Sequence, residues 1–119
     1  MLTLPPAVRI FVARDATYLR KSFDTLAALV PTVLAQDPFS GHLFGFFNRR
    51  ADRVKLLVWD RTGFWLFYKR LEAGRFTRPR AEAGARVEWT ARELLLVLEG
   101  IELGAVRQHR RYTRPGPGA

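Results

Sequence analysis

The 119-residue chain contains no cysteine. That excludes disulfides, thiolate zinc sites and cysteine nucleophiles together. Lysine is scarce, three residues against seventeen arginines, and serine and histidine occur only at Ser22, Ser40, His42 and His109. No apolar run reaches the roughly 18 residues that a membrane span needs. The opening MLTLPPAVRIFVARD has no charged segment ahead of an apolar one and is interrupted by Pro5-Pro6, so it does not read as a signal peptide. The expectation is a soluble, cytoplasmic protein.

The chemically capable residues that remain form no recognisable catalytic set. His42 and His109 lack metal-ligand spacing with any partner. Asp24 and Glu93 read as helix starts, and Asp52 and Asp60 as turn residues. The other carboxylates assemble into no convergent group of the kind a two-metal nuclease requires. No glycine-rich loop precedes a helix, and neither serine sits in a nucleophile elbow. The reading is a non-enzyme with no metal, no cofactor and no small-molecule substrate.

What the chain does have is positive charge and apolar surface. Net charge is +9 and the apolar fraction is 48%, enough for one domain with a real core. Arginine binds phosphate bidentately and stacks on rings, so the excess favours polyanions, with nucleic acid the leading class.

The patterning predicts an α+β domain of order β-α-β-β-β-(β)-α. Val8 to Arg14 reads as a first strand. Residues 15–21 are a polar link, and Ser22 is placed to cap a helix with Asp24 in its first turn. Phe23, Leu26, Ala27, Val30, Val33 and Leu34 recur on one helical face, and Pro31 is expected to kink or split that helix. After the turn cluster QDPFSGH, strands are read over His42 to Asn48, Val54 to Trp59 and Phe64 to Arg70, as an antiparallel meander. Gly63 is expected to supply a positive φ in the second hairpin. A loop over residues 71–86, a short strand from Val87 to Trp89, and a capping box Thr90–Glu93 opening a helix that stops at Gly100 complete the domain. The sheet is thus mainly antiparallel with four to five strands and two helices on it. Residues 1–104 form the domain, and residues 105–119, with four arginines and no acid, read as a basic disordered tail.

The stretch FWLFYKR at 64–70 poses the main question. Alternation puts Phe64, Leu66, Tyr68 and Arg70 on one face and Trp65, Phe67 and Lys69 on the other. One face must hold the helices. The other is a second core layer, a base-stacking platform, or a protein interface.

Six segments, read in order, narrow the choice. DPFSGH-LF, RR-x-DR-x-K, WD-x-x-GF and KRLE-x-GRF follow one another within residues 37–76, flanked by LRKSFDTLAALV at 19–30 and WTARELLLVLEGIEL at 89–103. Over roughly residues 8–103 the chain closely resembles the TnpB-type, Orf2-like accessory protein encoded by the second open reading frame of the insertion sequence 66 transposon family. Tyr18, where the family has an acid, and Pro31, where its helix is continuous, depart from the pattern. The resemblance implies a role in transposition beside a separate DDE-type transposase. The positive charge adds DNA at the element ends to that transposase as an expected partner. It carries over no catalytic residue.

The residues expected to bind nucleic acid are Arg20 and Lys21, Arg49, Arg50 and Arg53 in the hairpin turn, and Lys69, Arg70 and Arg75 after the aromatic run. The expected aromatic interface is Trp59, Trp65 and Phe67. Neutralising about five phosphates would give a slope near −4 to −5 for log K against log salt. The competing expectation is an adaptor that docks on the transposase through its aromatic face, with no specific DNA binding of its own.

Overall fold

Strands whose residues are apolar at nearly every position need cover on both sides. The strands LFGFF and IFVA meet that description, and they lie at the centre of the sheet. The computed structural model describes residues 7–20, 22–79 and 84–100. The elements run β1 (Ile10–Ala13), α1 (Phe23–Leu34), β2 (Leu43–Phe47), β3 (Arg53–Trp59), β4 (Phe64–Arg70), β5 (Arg86–Trp89) and α2 (Ala91–Leu98). They form an α+β domain with one five-stranded sheet of order β4-β3-β2-β1-β5. β2, β3 and β4 make the antiparallel meander, and β5 pairs antiparallel with β1. β1 and β2, joined through α1, are parallel.

The helices do not share a face, contrary to the expectation from sequence. α1 seats Leu26, Val30 and Leu34 against Phe11, Phe44, Phe46 and Leu57. α2 seats Leu94 and Val97 with Ile10, Val12, Phe47, Val54 and Trp89 on the other side. Alternation along β1 and β2 therefore feeds two cores. Gly45 leaves little room for a side chain between β1, β2 and β3. A Cβ there would stand 3.3 Å from the Leu56 side chain and 3.4 Å from that of Val12.

Four local expectations are corrected. Pro31 neither splits α1 nor ends it; the helix runs through to Leu34. Pro31 lies on the exposed side, so its ring meets water rather than the sheet. Thr32 in the same turn donates its hydroxyl to the carbonyls of Ala28 and Leu29. Ser22 holds the N-cap position but its side chain makes no cap bond, and Phe23 is 43% exposed rather than part of the buried stripe. The helix is anchored instead at its other end. Ala35 turns left-handed, and Arg86 donates from β5 to the Leu34 and Ala35 carbonyls, a cation at the negative end of the dipole. In the β3–β4 turn the positive φ belongs to Arg61 (87°), not to Gly63.

Asp60 explains how that turn tolerates Arg61. Its carboxylate accepts from the Thr62 and Gly63 amides, the Thr62 hydroxyl and the Trp65 indole. The Thr62 amide, followed by the Trp65 indole, holds the Asp60 carboxyl below the usual carboxylate range. A lowered folded pKa contributes stability that is complete above the unfolded value of about 3.9 and is lost as pH falls through the folded pKa. Asp60→Asn is expected to flatten the fall of the urea midpoint below about pH 4. Parallel acid limbs in wild type and variant would remove Asp60 from the acid response.

The α2 capping box forms as read, with the Glu93 amide on the Thr90 hydroxyl at 3.1 Å and the Thr90 amide on the Glu93 carboxylate at 2.9 Å. Thr90→Ala is expected to cost about 1 kcal/mol in chemical denaturation. A loss of nothing measurable would mean that packing alone sets the start of α2.

Candidate nucleic-acid interface

β1, β2 and β4 all run towards the same end of the sheet, because β1 and β2 are parallel and β4 lies two antiparallel steps from β2. The link after β1, the β2–β3 turn and the end of β4 must therefore gather there. They enclose an open cleft of about 510 Å³ lined by Ala16 to Arg20, Asn48, Arg49, Arg50, Arg53 and Tyr68.

The turn that carries the arginines is held by other residues. Asn48 accepts from the Asp52 and Arg53 amides at 3.1 and 3.0 Å and donates to the Asp52 carboxylate at 2.7 Å. Ala51 takes a left-handed conformation with φ 57° and is buried, and its carbonyl accepts from the Phe76 amide at 2.6 Å. The Asn48 amide, and then the charges of Arg50 and Arg53, keep the Asp52 carboxyl below its ordinary range. The backbone is thus shaped by Asn48, Ala51 and Asp52, while Arg49 and Arg50 stay exposed. The opposite wall is tied down by the Thr17 amide on the Phe47 carbonyl at 2.7 Å and by the Lys55 ammonium on the Leu19 carbonyl. Among the described residues, Arg20, Arg49, Arg50 and Arg53 form no ion pair; the pairs there are Arg9–Glu88, Arg14–Asp15 and Arg70–Glu72.

The family described as IS66 Orf2 like protein matches residues 8–108 of this chain. The chain belongs to that family. Its relatives include two uncharacterized proteins of Sinorhizobium fredii (strain NBRC 101917 / NGR234). Protein y4hO is 36% identical over 116 residues, covering 98% of this chain and 100% of the relative. Protein y4jC is 34% identical over 101 residues, covering 85% of this chain and 86% of the relative. No solved structure matches. The family gives this IS66 Orf2 like protein a transposition-associated accessory role, and it is not a known catalytic family. Among the described residues no group of three or more His, Asp or Glu is placed to hold a metal ion, and no helix is long and apolar enough to cross a membrane.

Of the other candidates, Arg70, Arg75 and Lys69 are not among the residues that line the cleft. Arg70 stands opposite Arg53 across the β3–β4 ladder and pairs with Glu72 at 3.5 Å. Arg75 is exposed on the loop that Phe76 ties to the arginine turn. Lys69 points to the α2 side, where its ammonium donates to the Leu98 carbonyl at 2.7 Å and so serves the helix end. Lys21 and residues 105–119 fall outside the described residues.

The three aromatic candidates do not form one patch. Trp59 is half-buried on the α1 side, edge-on to Phe39 and Phe64 with centroids 5.0 Å from each. Trp65 and Phe67 stack on the α2 side at 6.1 Å and 13°. Phe67 is packed against the core, whereas Trp65 is 55% exposed. Tyr18 and Tyr68, both exposed at the cleft, are not among the expected site residues. Tyr68 closes the aromatic run at 64–68 and shares a strand face with Arg70, and Tyr18 stands out in the sequence as a departure from the family pattern.

Proposed function

We propose that this accessory protein is a non-catalytic DNA-binding module that engages the ends of its insertion sequence through the arginine cleft and so assists the separate transposase. The observation that carries the reading is the meeting of Arg20 with Arg49, Arg50 and Arg53 in one concave site, with no ion pair to any of them among the described residues. Guanidinium groups so placed bind phosphate and set register on a nucleic acid. The basic segment 105–119 supplies a second, sequence-independent contact. A protein that acts on element DNA works in the bacterial cytoplasm.

The test is fluorescence anisotropy of the full chain on a duplex carrying the element's terminal repeat, with a scrambled duplex as competitor, across a salt series. Preference for the repeat with salt-sensitive affinity is the expected result. Absence of binding to any nucleic acid would sink the reading. A second reading rests on Trp65, an exposed ring stacked on Phe67 on the α2 side. In that case the protein is an adaptor for the transposase, and binding to element DNA is seen only once transposase is added.

A further inference from the structure

Two tyrosines stand beside the arginines, and phosphate contact gives them no task. Tyr18 is 63% exposed and Tyr68 is 54% exposed, and both line the cleft. Each has a cation near its ring: Arg20 at 5.7 Å from the Tyr18 centroid and Lys55 at 5.2 Å from that of Tyr68. Lys55 also donates to the Leu19 carbonyl, so one ammonium both fixes the wall of the cleft and braces the Tyr68 ring. Rings this exposed and this braced offer a surface on which a flat, polarisable group can stack.

We propose that the cleft takes an unpaired nucleotide of single-stranded DNA, its phosphates on Arg49, Arg50 and Arg53 and its base stacked on Tyr68, with Tyr18 as a second stacking surface. The inference rests on the DNA-binding reading above and adds the form of DNA. A double helix keeps its base faces stacked inside and presents only phosphates and groove edges, so it leaves both tyrosines unused. An open strand presents base faces and phosphates together, the pairing found in single-strand sites. A volume of about 510 Å³ suits a nucleotide rather than a length of duplex. The cleft is also assembled from three separate segments, so the charges and the rings face one space instead of being spread over a convex surface.

The test compares anisotropy of the full chain on a labelled single strand of the terminal repeat with that on the blunt duplex of the same sequence. The single strand is expected to bind more tightly. Tyr68→Ala is expected to weaken single-strand binding by roughly 5- to 150-fold, with the duplex affinity and the salt slope unchanged, because every arginine that meets phosphate is still in place. Tyr68→Phe, which keeps the ring, is expected to restore it, and the exposed position should leave the thermal midpoint near wild type. Duplex preference with a silent Tyr68→Ala would overturn this inference and leave the arginine cleft as a duplex site. No binding to either form would overturn both readings. Tighter binding to RNA of the same sequence would overturn the assignment to DNA.

Discussion

Reversing Arg49, Arg50 and Arg53 to glutamate together is expected to flatten the salt dependence of duplex binding by about 2.7 in the slope of log K against log salt, at about 0.9 for each phosphate no longer neutralised. The expectation follows from how the turn is built. Its conformation is set by the Asn48 side chain, the left-handed Ala51 and the Asp52 carboxylate. The Arg49 and Arg50 side chains are exposed, and Arg53 contributes to the turn through its backbone amide. The fold should therefore survive the reversal, which circular dichroism and the urea midpoint would verify. Three new negative charges in a concave site repel phosphate as well as failing to bind it, so affinity at physiological salt should fall further than the missing arginines alone require. A variant that kept the wild-type slope would take the turn out of the interface. Attention would then pass to Arg70, Arg75 and the basic segment 105–119.

Phe47→Ala is expected to cost about 3–5 kcal/mol of stability, read from urea unfolding with an unchanged m-value. Phe47 closes β2, is 1% exposed, and meets Phe76 at 5.6 Å and Trp89 at 6.1 Å between ring centroids. Phe76 comes from the loop after β4 and Trp89 from β5, so one ring joins both edges of the sheet to its centre beneath α2. Its removal leaves a cavity that three separate segments cannot all move to fill. Set against typical domain stabilities of about 5–15 kcal/mol, the loss would leave a marginal protein. Trp65→Ala is the comparison: a larger side chain, but 55% exposed on an edge strand, and its removal should cost clearly less. Equal losses at the two positions would contradict the division into a buried α2-side core and an exposed edge.

Much of the fold is legible where the determinants are local. The Thr90–Glu93 box, the Asp60 turn and the alternating strands of the meander each depend on residues a few positions apart, and each forms close to where pattern and propensity place it. Two local rules fail. Pro31 leaves α1 unbroken with its ring on the exposed side, and Arg61 takes the positive φ because four donors to Asp60 hold the turn around it. Periodicity groups residues into faces, but it is silent on which helix covers which face. That depends on β1 lying between β2 and β5, a pairing of distant segments that sends α1 and α2 to opposite sides.

The same distinction runs through the candidate site. Charge counting singles out Arg20, Arg49, Arg50 and Arg53 one segment at a time, but it has no means of putting them in one cleft. Nor could it find the tyrosines. Tyr18 lies in a link without periodicity, and the Lys55 that braces Tyr68 reaches a carbonyl 36 positions away. Composition and local pattern settled a basic, cysteine-free α+β chain and the order of its elements. The parallel pairing of β1 with β2 settled the rest, because it turns three chain segments towards one end of the sheet and makes a cavity of them.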